Sequence, residues 1–247
     1  MSTLAPARRQ RALEAMGLGP AWVLRTRPAD GGGPAPTTAD RATTMPPAER
    51  ASCIATLAWD SMRDEVSGCV ACPLSRSRTQ TVFGAGAMRP EWLVIGEAPG
   101  ADEDLQGEPF VEQAGKLLDA MLASVGLSRE RDVFVTNVVK CMPPAAREPA
   151  SEEVDRCRPF LERQIALLQP KLILVVGEVA SASVLSAGAT LTRLQGRPHR
   201  LSIGGREIPV VVTFGPAHLL RHPEEKAGAW RDLCLARDTY RRSLGDA

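Results

Sequence analysis

The sequence predicts a three-layer α/β/α fold, in which helices cover both faces of a central, mostly parallel sheet. Short apolar runs rich in Val, Leu and Ile occur at 91–96, 133–138 and 171–177. Segments with helical spacing of apolar residues lie between these runs, at 114–125 and 151–168. Strands that are apolar throughout are buried on both faces, which is typical of parallel sheets between helices.

The predicted elements follow an N-terminal extension over 1–50. This extension combines a short helix at 7–17 with a linker at 28–48 that is rich in Pro, Gly and Ala, and we expect the linker to be flexible. A single globular domain follows over 51–247. Its expected elements, in order, are helix 51–66, strand 91–96, helix 114–125, strand 133–138, helix 151–168, strand 171–177, helix 178–187, strands 199–203 and 207–213, and helix 224–242.

Local signals support two of these elements directly. The helix at 151–168 begins with Ser151, a favoured capping residue, and the acidic Glu152 and Glu153 follow it, where they suit the positive end of the helix dipole. Gly204–Gly205 separates the last two strands, which predicts a hairpin.

The composition argues against several classes of protein. The chain has 247 residues and a formal net charge of +1, so it can bury a sizeable core, and its net charge alone does not indicate a nucleic-acid partner. It has no apolar run of about 18 residues and no secretory apolar core near the N-terminus. We therefore expect a cytoplasmic protein with no membrane segment.

Four of the six cysteines have a spacing that predicts a metal centre. Cys69 and Cys72 form a C-x2-C pair, Cys141 follows the strand at 133–138, and Cys157 lies on the next predicted helix. Thiols in a reducing compartment do not form structural disulfides. Four thiolates can hold a [4Fe–4S] cluster or a zinc ion, and the spacing leaves both possibilities open.

An acidic loop follows the first predicted strand. Gly96 and Gly100 permit a tight backbone path, acidic residues follow at 102–104, and Phe110 lies a few residues further on. Ligands of open α/β sheets bind beyond the carboxyl ends of the strands. The loop suits a site that binds a planar ring and stabilises a cationic transition state, and the alternative is an acidic cap on a helix.

Four motifs occur in the order found in a known enzyme family. They are GEAPGADED at 96–104, GEPFVEQAGKLLDAML at 107–122, VTNVVKCMPP at 135–144 and FGPAHLLRHP at 214–223. With the four cysteines, they resemble family 4 uracil-DNA glycosylases over about residues 66–240. The resemblance implies the uracil-DNA glycosylase fold, assigns the cysteines to a [4Fe–4S] cluster, and implies a monomeric hydrolase that acts on uracil-containing DNA in base excision repair.

The resemblance also implies how the base is recognised. These enzymes flip uracil out of the DNA into a tight pocket. Phe110 is expected to stack on the flipped ring, and Asn137 to read the uracil edge, because an amide both donates and accepts hydrogen bonds. Ala98 lies in the pocket, where some related families carry an Asp that activates water. Without the family, Phe110 would be interpreted as a core residue and Asn137 as a strand-end turn residue.

Other residues are implied to act on the sugar and the DNA. Glu97 and Glu103, with Asp104 as a second choice, are expected to stabilise the positive charge that develops on the sugar. A segment that enters the DNA beside the flipped base is expected to include the residues Leu219, Leu220 and Arg221. The alternative for this segment is the start of a helix with buried leucines.

The sequence departs from the family at three places. The family carries a His that donates to a uracil carbonyl oxygen where this chain has Gly215, and His218 lies close enough in sequence to replace it. Glu112 stands where the family has Gly, and the segment 142–147 differs in composition. These departures raise two alternatives to an efficient enzyme: a catalytically weak or inactive relative that binds uracil-containing or damaged DNA, and a glycosylase with a different base preference.

Overall fold

The computed structural model describes residues 45–185 and 188–245. The predicted helix at 7–17 and most of the predicted linker at 28–48 lie outside the described residues. The first described helix begins at Pro47, slightly before the predicted domain boundary at 51. Proline is favoured at the first helical position because its fixed backbone angle suits the helix and its missing N–H would have no partner there.

Helices and strands alternate along most of the described chain. The helices are α1 (Pro47–Ala55), α2 (Trp59–Ser67), α3 (Ala101–Gln106), α4 (Glu112–Ser124), α5 (Ser151–Leu168), α6 (Glu178–Leu185), α7 (Leu191–Leu194), α8 (Pro216–Arg221) and α9 (Lys226–Gly245). The strands are β1 (Ala85–Gly86), β2 (Trp92–Gly96), β3 (Val133–Asn137), β4 (Leu172–Val176), β5 (His199–Ile203) and β6 (Arg206–Thr213). Short 3-10 turns lie at Pro73–Arg76, Pro144–Ala146 and Pro223–Glu225.

The six strands of the described residues form one mixed sheet in the order β1-β3-β2-β4-β6-β5. The four central strands are parallel, and the edge strands β1 and β5 are antiparallel to their neighbours. In this register Gly96 pairs with Asn137, and Val176 pairs with Thr213. The predicted mostly parallel sheet is confirmed, and so is the hairpin around Gly204–Gly205.

Both faces of the sheet are buried, which confirms the three-layer arrangement. On one face, Ile95 and Val175 pack in a core that includes Ile165 of α5. On the other face, Val94 packs in a core that includes Leu118 of α4 and Leu233 of α9. Burying each such side chain contributes roughly 1.5–3 kcal/mol relative to exposing it. No helix of the described residues is long and apolar enough to cross a membrane.

Three helix predictions differ from the structure. The predicted helix 51–66 is two helices, because α1 ends at Ala55, where the Thr56 hydroxyl donates to the Cys53 carbonyl at 2.8 Å. Such local bonds compete with helix continuation. The acidic loop contains the short helix α3, whose N-terminus is capped by Glu103. This matches the alternative interpretation of the loop as an acidic cap on a helix. The C-terminal helix begins at Lys226, after a 3-10 turn.

Candidate active site

A cavity of about 460 Å³ opens at the carboxyl ends of the central strands. It is bounded by the segment after β2, the loop before α4, the end of β4 and the start of α8. Its lining residues are Glu97, Ala98, Gly100, Ala101, Asp102, Glu103, Phe110, Val111, Glu112, Gln113, Ala114, Val176, Gly215, Pro216 and Ala217. A larger cavity of about 650 Å³ near α9 includes none of the predicted base-binding residues. The smaller cavity is therefore the candidate site.

Asn137 and Phe110 come together beside Gly96. A Cβ atom on Gly96 would lie 2.4 Å from Asn137 Oδ1 and 2.5 Å from Phe110 Cζ, so only glycine leaves room for both side chains. Asn137 is 1% exposed and is not itself one of the lining residues, and its Nδ2 atom has no hydrogen-bond partner among the described residues. A buried amide without a partner is costly, and a ligand that accepts its hydrogen bond would remove this cost.

Glu97 lines the cavity at the N-terminus of α6. Its Oε1 atom accepts a hydrogen bond from the Val179 N–H at 2.8 Å and packs against Gly177, where a Cβ would lie 2.5 Å from the same oxygen. Burial raises the pKa of Glu97, the Val179 N–H opposes this shift, and the negative charges of Glu148 and Glu178 add to it. The carboxylate is therefore oriented by backbone but remains in a poorly solvated position.

Glu103 also lines the cavity, but its oxygens are used by backbone groups. Oε2 accepts from the Gly100 N–H at 2.8 Å, and Oε1 accepts from the Phe110 N–H at 2.6 Å. Burial raises the pKa of Glu103, although these two N–H groups and that of Val111 lower it. Its position indicates that Glu103 holds the loop around the cavity, and its expected role at the sugar stays a prediction.

The position of Asp104 requires a correction. This residue is 4% exposed and accepts a hydrogen bond from the Thr79 N–H at 2.7 Å, and it lies outside the lining of the cavity. It follows Glu103 on α3, and successive residues of a helix point in different directions. Asp104 therefore ties α3 to the segment around Thr79, and its position does not support the predicted role at the sugar.

The segment after β6 places Gly215 at the cavity and His218 beside it. Gly215 has φ −68° and ψ 143°, and no atom lies within 4 Å of the position that a Cβ would take. His218 Nε2 lies 2.5 Å from Glu225 Oε2, and its ring is stacked between Phe214 and His222. His218 does not line the cavity in this arrangement, so the predicted replacement for the family histidine is held elsewhere.

The three residues expected to enter DNA have different environments. Leu219 is 1% exposed and packs in the core that includes α4 and α9, so its predicted insertion into DNA is corrected to a core position. Leu220 is 41% exposed, and Arg221 is exposed beside it. The alternative of a helix with a buried leucine is therefore right for Leu219, whereas contact of Leu220 and Arg221 with DNA stays a prediction.

The four predicted cluster ligands lie near one another. Burial raises the pKa of Cys141 to about 11 and that of Cys157 to about 12, and the charges of Cys69 and Cys72 also act on Cys141. Among the residues that the structure describes, no group of three or more His, Cys, Asp or Glu side chains has the geometry that closes around a metal ion. The structure thus brings the four thiols into one region without arranging them as a closed site.

Cationic side chains surround this cysteine region. Arg78 donates to Cys141 Sγ at 3.1 Å, and Arg50 donates to Cys69 Sγ at 3.5 Å. Lys140 is 1% exposed and donates to Thr136 Oγ1 at 2.6 Å and to the Asn137 carbonyl at 2.7 Å. Burial lowers the pKa of Lys140 to about 8, and the charges of Cys157 and Cys141 oppose that shift. Sequence reasoning did not identify these cations.

Comparisons with known proteins agree with this geometry. The family model of the uracil DNA glycosylase superfamily matches residues 83–236, more than half of the chain. A type-4 uracil-DNA glycosylase of Archaeoglobus fulgidus is 40% identical over 169 residues, which cover 67% of this chain and 84% of the relative. The type-4 uracil-DNA glycosylase of Sulfurisphaera tokodaii is 38% identical over 73% of this chain and 87% of its own length.

The chain belongs to the uracil DNA glycosylase superfamily.

A third relative shows a similar degree of identity. The type-4 uracil-DNA glycosylase of Thermotoga maritima is 41% identical over 160 residues, which cover 64% of this chain and 81% of the relative. The superfamily match includes the whole lining of the cavity, and it includes Cys141 and Cys157, whereas Cys69 and Cys72 precede it. The family resemblance inferred from the sequence motifs is therefore confirmed.

The backbone conformation of Glu112 is expected to lower the stability of the folded protein. Glu112 has φ +53°, a left-handed conformation that costs a non-glycine residue about 1–2 kcal/mol. Glycine avoids this cost but loses about 0.5–1 kcal/mol through its greater freedom in the unfolded chain. We expect Glu112→Gly to raise the free energy of unfolding by up to about 1 kcal/mol, measured by urea denaturation.

Glu108→Gly is the matched control for this measurement. Glu108 is an exposed loop residue nearby, and it is not among the residues with positive φ. Glu108→Gly should therefore lower the free energy of unfolding, because the glycine adds freedom to the unfolded chain and relieves no backbone strain in the folded one. Equal decreases in both variants would show that the conformation of Glu112 is not strained.

Proposed function

We propose that this protein hydrolyses the N-glycosidic bond of uracil in DNA and so begins base excision repair. The observation that carries the proposal is the buried Asn137 amide, whose Nδ2 atom has no partner in the described part of the chain and which lies near the Phe110 ring beside Gly96. This combination offers a planar surface and directional hydrogen bonds at the end of a rigid strand. Those are the two elements that recognition of a flipped base requires.

Recognition of uracil follows from the chemistry of these two side chains. The amide of Asn137 donates through Nδ2 and accepts through Oδ1, which matches the adjacent carbonyl and N–H groups on the edge of uracil. The same amide would meet a donor in place of the carbonyl if cytosine entered, which would leave buried groups unpaired. Phe110 supplies a stacking surface that is indifferent to the identity of the ring. Asn137 therefore provides selectivity, and Phe110 provides affinity.

Cleavage requires stabilisation of charge at two places. The sugar gains positive charge as the glycosidic bond breaks, and the departing uracil gains negative charge. Glu97 is the carboxylate that we assign to the sugar, because it lines the cavity and is oriented by the N-terminus of α6. An ionised carboxylate in a poorly solvated position interacts strongly with a developing cation.

The DNA approaches from the side of α8 in this proposal. Leu220 is exposed and adjacent to the cavity-lining segment 215–217, so it can fill the space that the flipped nucleotide leaves. Arg221 is exposed beside it and can contact a phosphate. We propose that the enzyme acts as a monomer in the cytoplasm.

We propose that Cys69, Cys72, Cys141 and Cys157 hold a [4Fe–4S] cluster, as the family resemblance implies. The fit rests on the four thiols that share one region and on the cations Arg50, Arg78 and Lys140 beside them. Four thiolates around an iron–sulfur core carry net negative charge, which these cations offset. Such a cluster would tie the loop before the Pro73–Arg76 turn, the loop after β3 and helix α5 together.

A second candidate function is recognition of uracil-containing or damaged DNA with little excision. Gly215 offers no side chain where the family has a histidine donor, and His218 is bound to Glu225. Loss of one such donor lowers rates on the order of 100–1,000-fold in comparable oxyanion sites. Asn137 and Phe110 would still recognise the base. Glu112 on the cavity lining motivates the related alternative of a different base preference.

Restoring a histidine at position 215 tests whether the missing donor limits the rate. We expect the wild type to release uracil slowly from a uracil-containing oligonucleotide, and Gly215→His to raise the single-turnover rate on the order of 100-fold. The φ of −68° and the open space around Gly215 accommodate a histidine without strain. The DNA dissociation constant should change little, because the new bond acts mainly in the transition state.

Two variants sharpen this experiment. His218→Ala should leave the rate unchanged if His218 stays bound to Glu225, whereas a large loss would show that His218 already supplies the donor. Asn137→Ala should weaken both binding and release. A wild type that neither binds nor cleaves uracil-containing DNA would contradict the proposed function, and a panel of oligonucleotides with other deaminated bases would then identify a different preference.

The next prediction concerns pH. Glu97 acts as a carboxylate, so the rate should be full above its raised pKa and should fall as the pH drops through that value. We expect the acidic limb of the single-turnover rate to lie above 4.5, the ordinary value for Glu. Glu148→Gln should move this limb to lower pH, because it removes a charge that raises the pKa of Glu97.

Glu97→Gln tests the assignment of the limb. This variant should lower the maximal rate on the order of 100-fold and abolish the acidic limb. If the rate of Glu97→Gln fell over the same acidic pH range as that of the wild type, the titrating group would not be Glu97. Circular dichroism over the same pH range checks that each variant remains folded.

The last prediction of this subsection concerns iron. Anaerobically purified protein should contain about four irons per chain and absorb broadly in the blue part of the visible spectrum. Cys157→Ser should lower both the iron content and the melting temperature, because this thiolate ties α5 to the domain. Cys53→Ser is the matched control, since Cys53 is exposed and outside the proposed ligand set. Zinc in place of iron would overturn the assignment.

A further inference from the structure

Phe110 has a backbone conformation that needs support. Its φ is +52°, in the left-handed region, which costs an aromatic residue about 1–2 kcal/mol. Such conformations persist where the surrounding structure determines them, and they cluster at functional sites. The side chain of Phe110 lines the cavity and lies against Gly96, so the backbone at this residue decides where the ring lies.

One charged side chain binds the N–H of Phe110. Glu103 accepts this N–H at 2.6 Å and the N–H of Gly100 at 2.8 Å. The carboxylate therefore bridges the start of α3 to the loop that carries Phe110. Hydrogen bonds of backbone N–H groups to an ionised carboxylate are stronger than those between neutral groups.

A second charged side chain, of opposite sign, binds the other side of Phe110. Arg129 Nη1 donates to the Phe110 carbonyl at 3.1 Å and to the Pro109 carbonyl at 2.9 Å. Its Nε donates to Asp119 Oδ1 at 2.9 Å, which anchors the guanidinium to α4. The Arg129 side chain is 19% exposed, and its positive charge lowers the pKa of Glu103.

A glycine completes this arrangement. A Cβ on Gly115 would lie 2.0 Å from the Phe110 carbonyl oxygen, so the first turn of α4 leaves space for that carbonyl only because residue 115 has no side chain. The peptide groups on both sides of Phe110 are thus held by Glu103, Arg129 and Gly115. Only Glu103 lines the cavity.

We propose that Arg129 is a positioning residue that, together with Glu103, fixes the Phe110 ring in the base-binding cavity. The consequence for uracil rests on the proposed function, whereas the consequence for the Phe110 backbone does not. Arg129 lies on the loop between α4 and β3, far along the chain from Phe110 and outside the lining of the cavity. A lysine would not replace it, because a single ammonium cannot contact two carbonyls and a carboxylate in the planar geometry of a guanidinium.

Hydrogen exchange tests the backbone part of the proposal. In Arg129→Met, amide exchange of a peptide spanning 109–113 should accelerate at least about tenfold relative to wild type, because two charge-assisted bonds to this segment are lost. Exchange in β4 should not change. Arg129→Lys should resemble Arg129→Met. Unchanged exchange at 109–113, or equal acceleration throughout the domain, would overturn the proposal.

The matched control removes an arginine of similar type elsewhere. Arg163 Nε donates to the Leu57 carbonyl at 2.7 Å, in a half-buried position outside the cavity lining. Arg163→Met should leave exchange at 109–113 within about twofold of wild type. A tenfold effect in this control would show that exchange at 109–113 reports general loosening, which would also overturn the proposal.

A double-mutant cycle tests the functional part. Arg129→Met should weaken binding of a non-cleavable uracil oligonucleotide and slow release of uracil, each about tenfold, when Phe110 is present. In the Phe110→Ala background, Arg129→Met should change both quantities by less than about twofold. Equal effects in both backgrounds would show that Arg129 does not act through Phe110. A wild type without uracil binding would contradict the proposed function, and hydrogen exchange would still decide the role of Arg129.

Discussion

The parallel pairing of β2 with β3 places Gly96 opposite Asn137, and the candidate site depends on this register. A shift of one residue would turn Asn137 to the other face of the sheet, because successive side chains of a strand alternate between faces. The register is held by apolar side chains on both faces, which cannot move without exposing a core. The position of the Asn137 amide is therefore determined by the packing of apolar side chains that lie outside the proposed base-binding site.

Charged side chains around the site bind mainly backbone groups. Glu103 binds two N–H groups, Arg129 binds two carbonyls, and Lys140 binds the Asn137 carbonyl. Such bonds satisfy buried peptide groups outside the regular ladders, where an unpaired group would be costly. Lys140 also links two parts of the protein, because it lies beside Cys157 and donates to the carbonyl of Asn137, the residue that we propose reads the base. The cysteine region and the cavity are thus connected through one buried cation.

The sequence predicted the strands better than the short helices, and the physical reason is local. The strands at 91–96, 133–138 and 171–177 are apolar throughout, whereas α3 is a six-residue acidic helix with one buried side chain, Asp104. Motif order identified Glu97, Ala98, Phe110 and Gly215, all of which line the cavity. Arg129 carries no local signal, because its contacts join residues that are distant in sequence. The bond of His218 to Glu225 and the burial of Leu219 likewise depend on tertiary packing.

The glycines in and around the cavity are of two kinds, and the difference bears on how the site can change. At Gly96, Gly115 and Gly177 a side chain would collide with neighbouring atoms, so folding itself excludes other residues. At Gly215 the backbone is ordinary and no atom lies within 4 Å of the position of a Cβ, so a side chain can begin there without collision. A hydrogen-bond donor can therefore be gained or lost at this position without a change in the conformation of the backbone, whereas the other three glycines tie their positions to the fold itself.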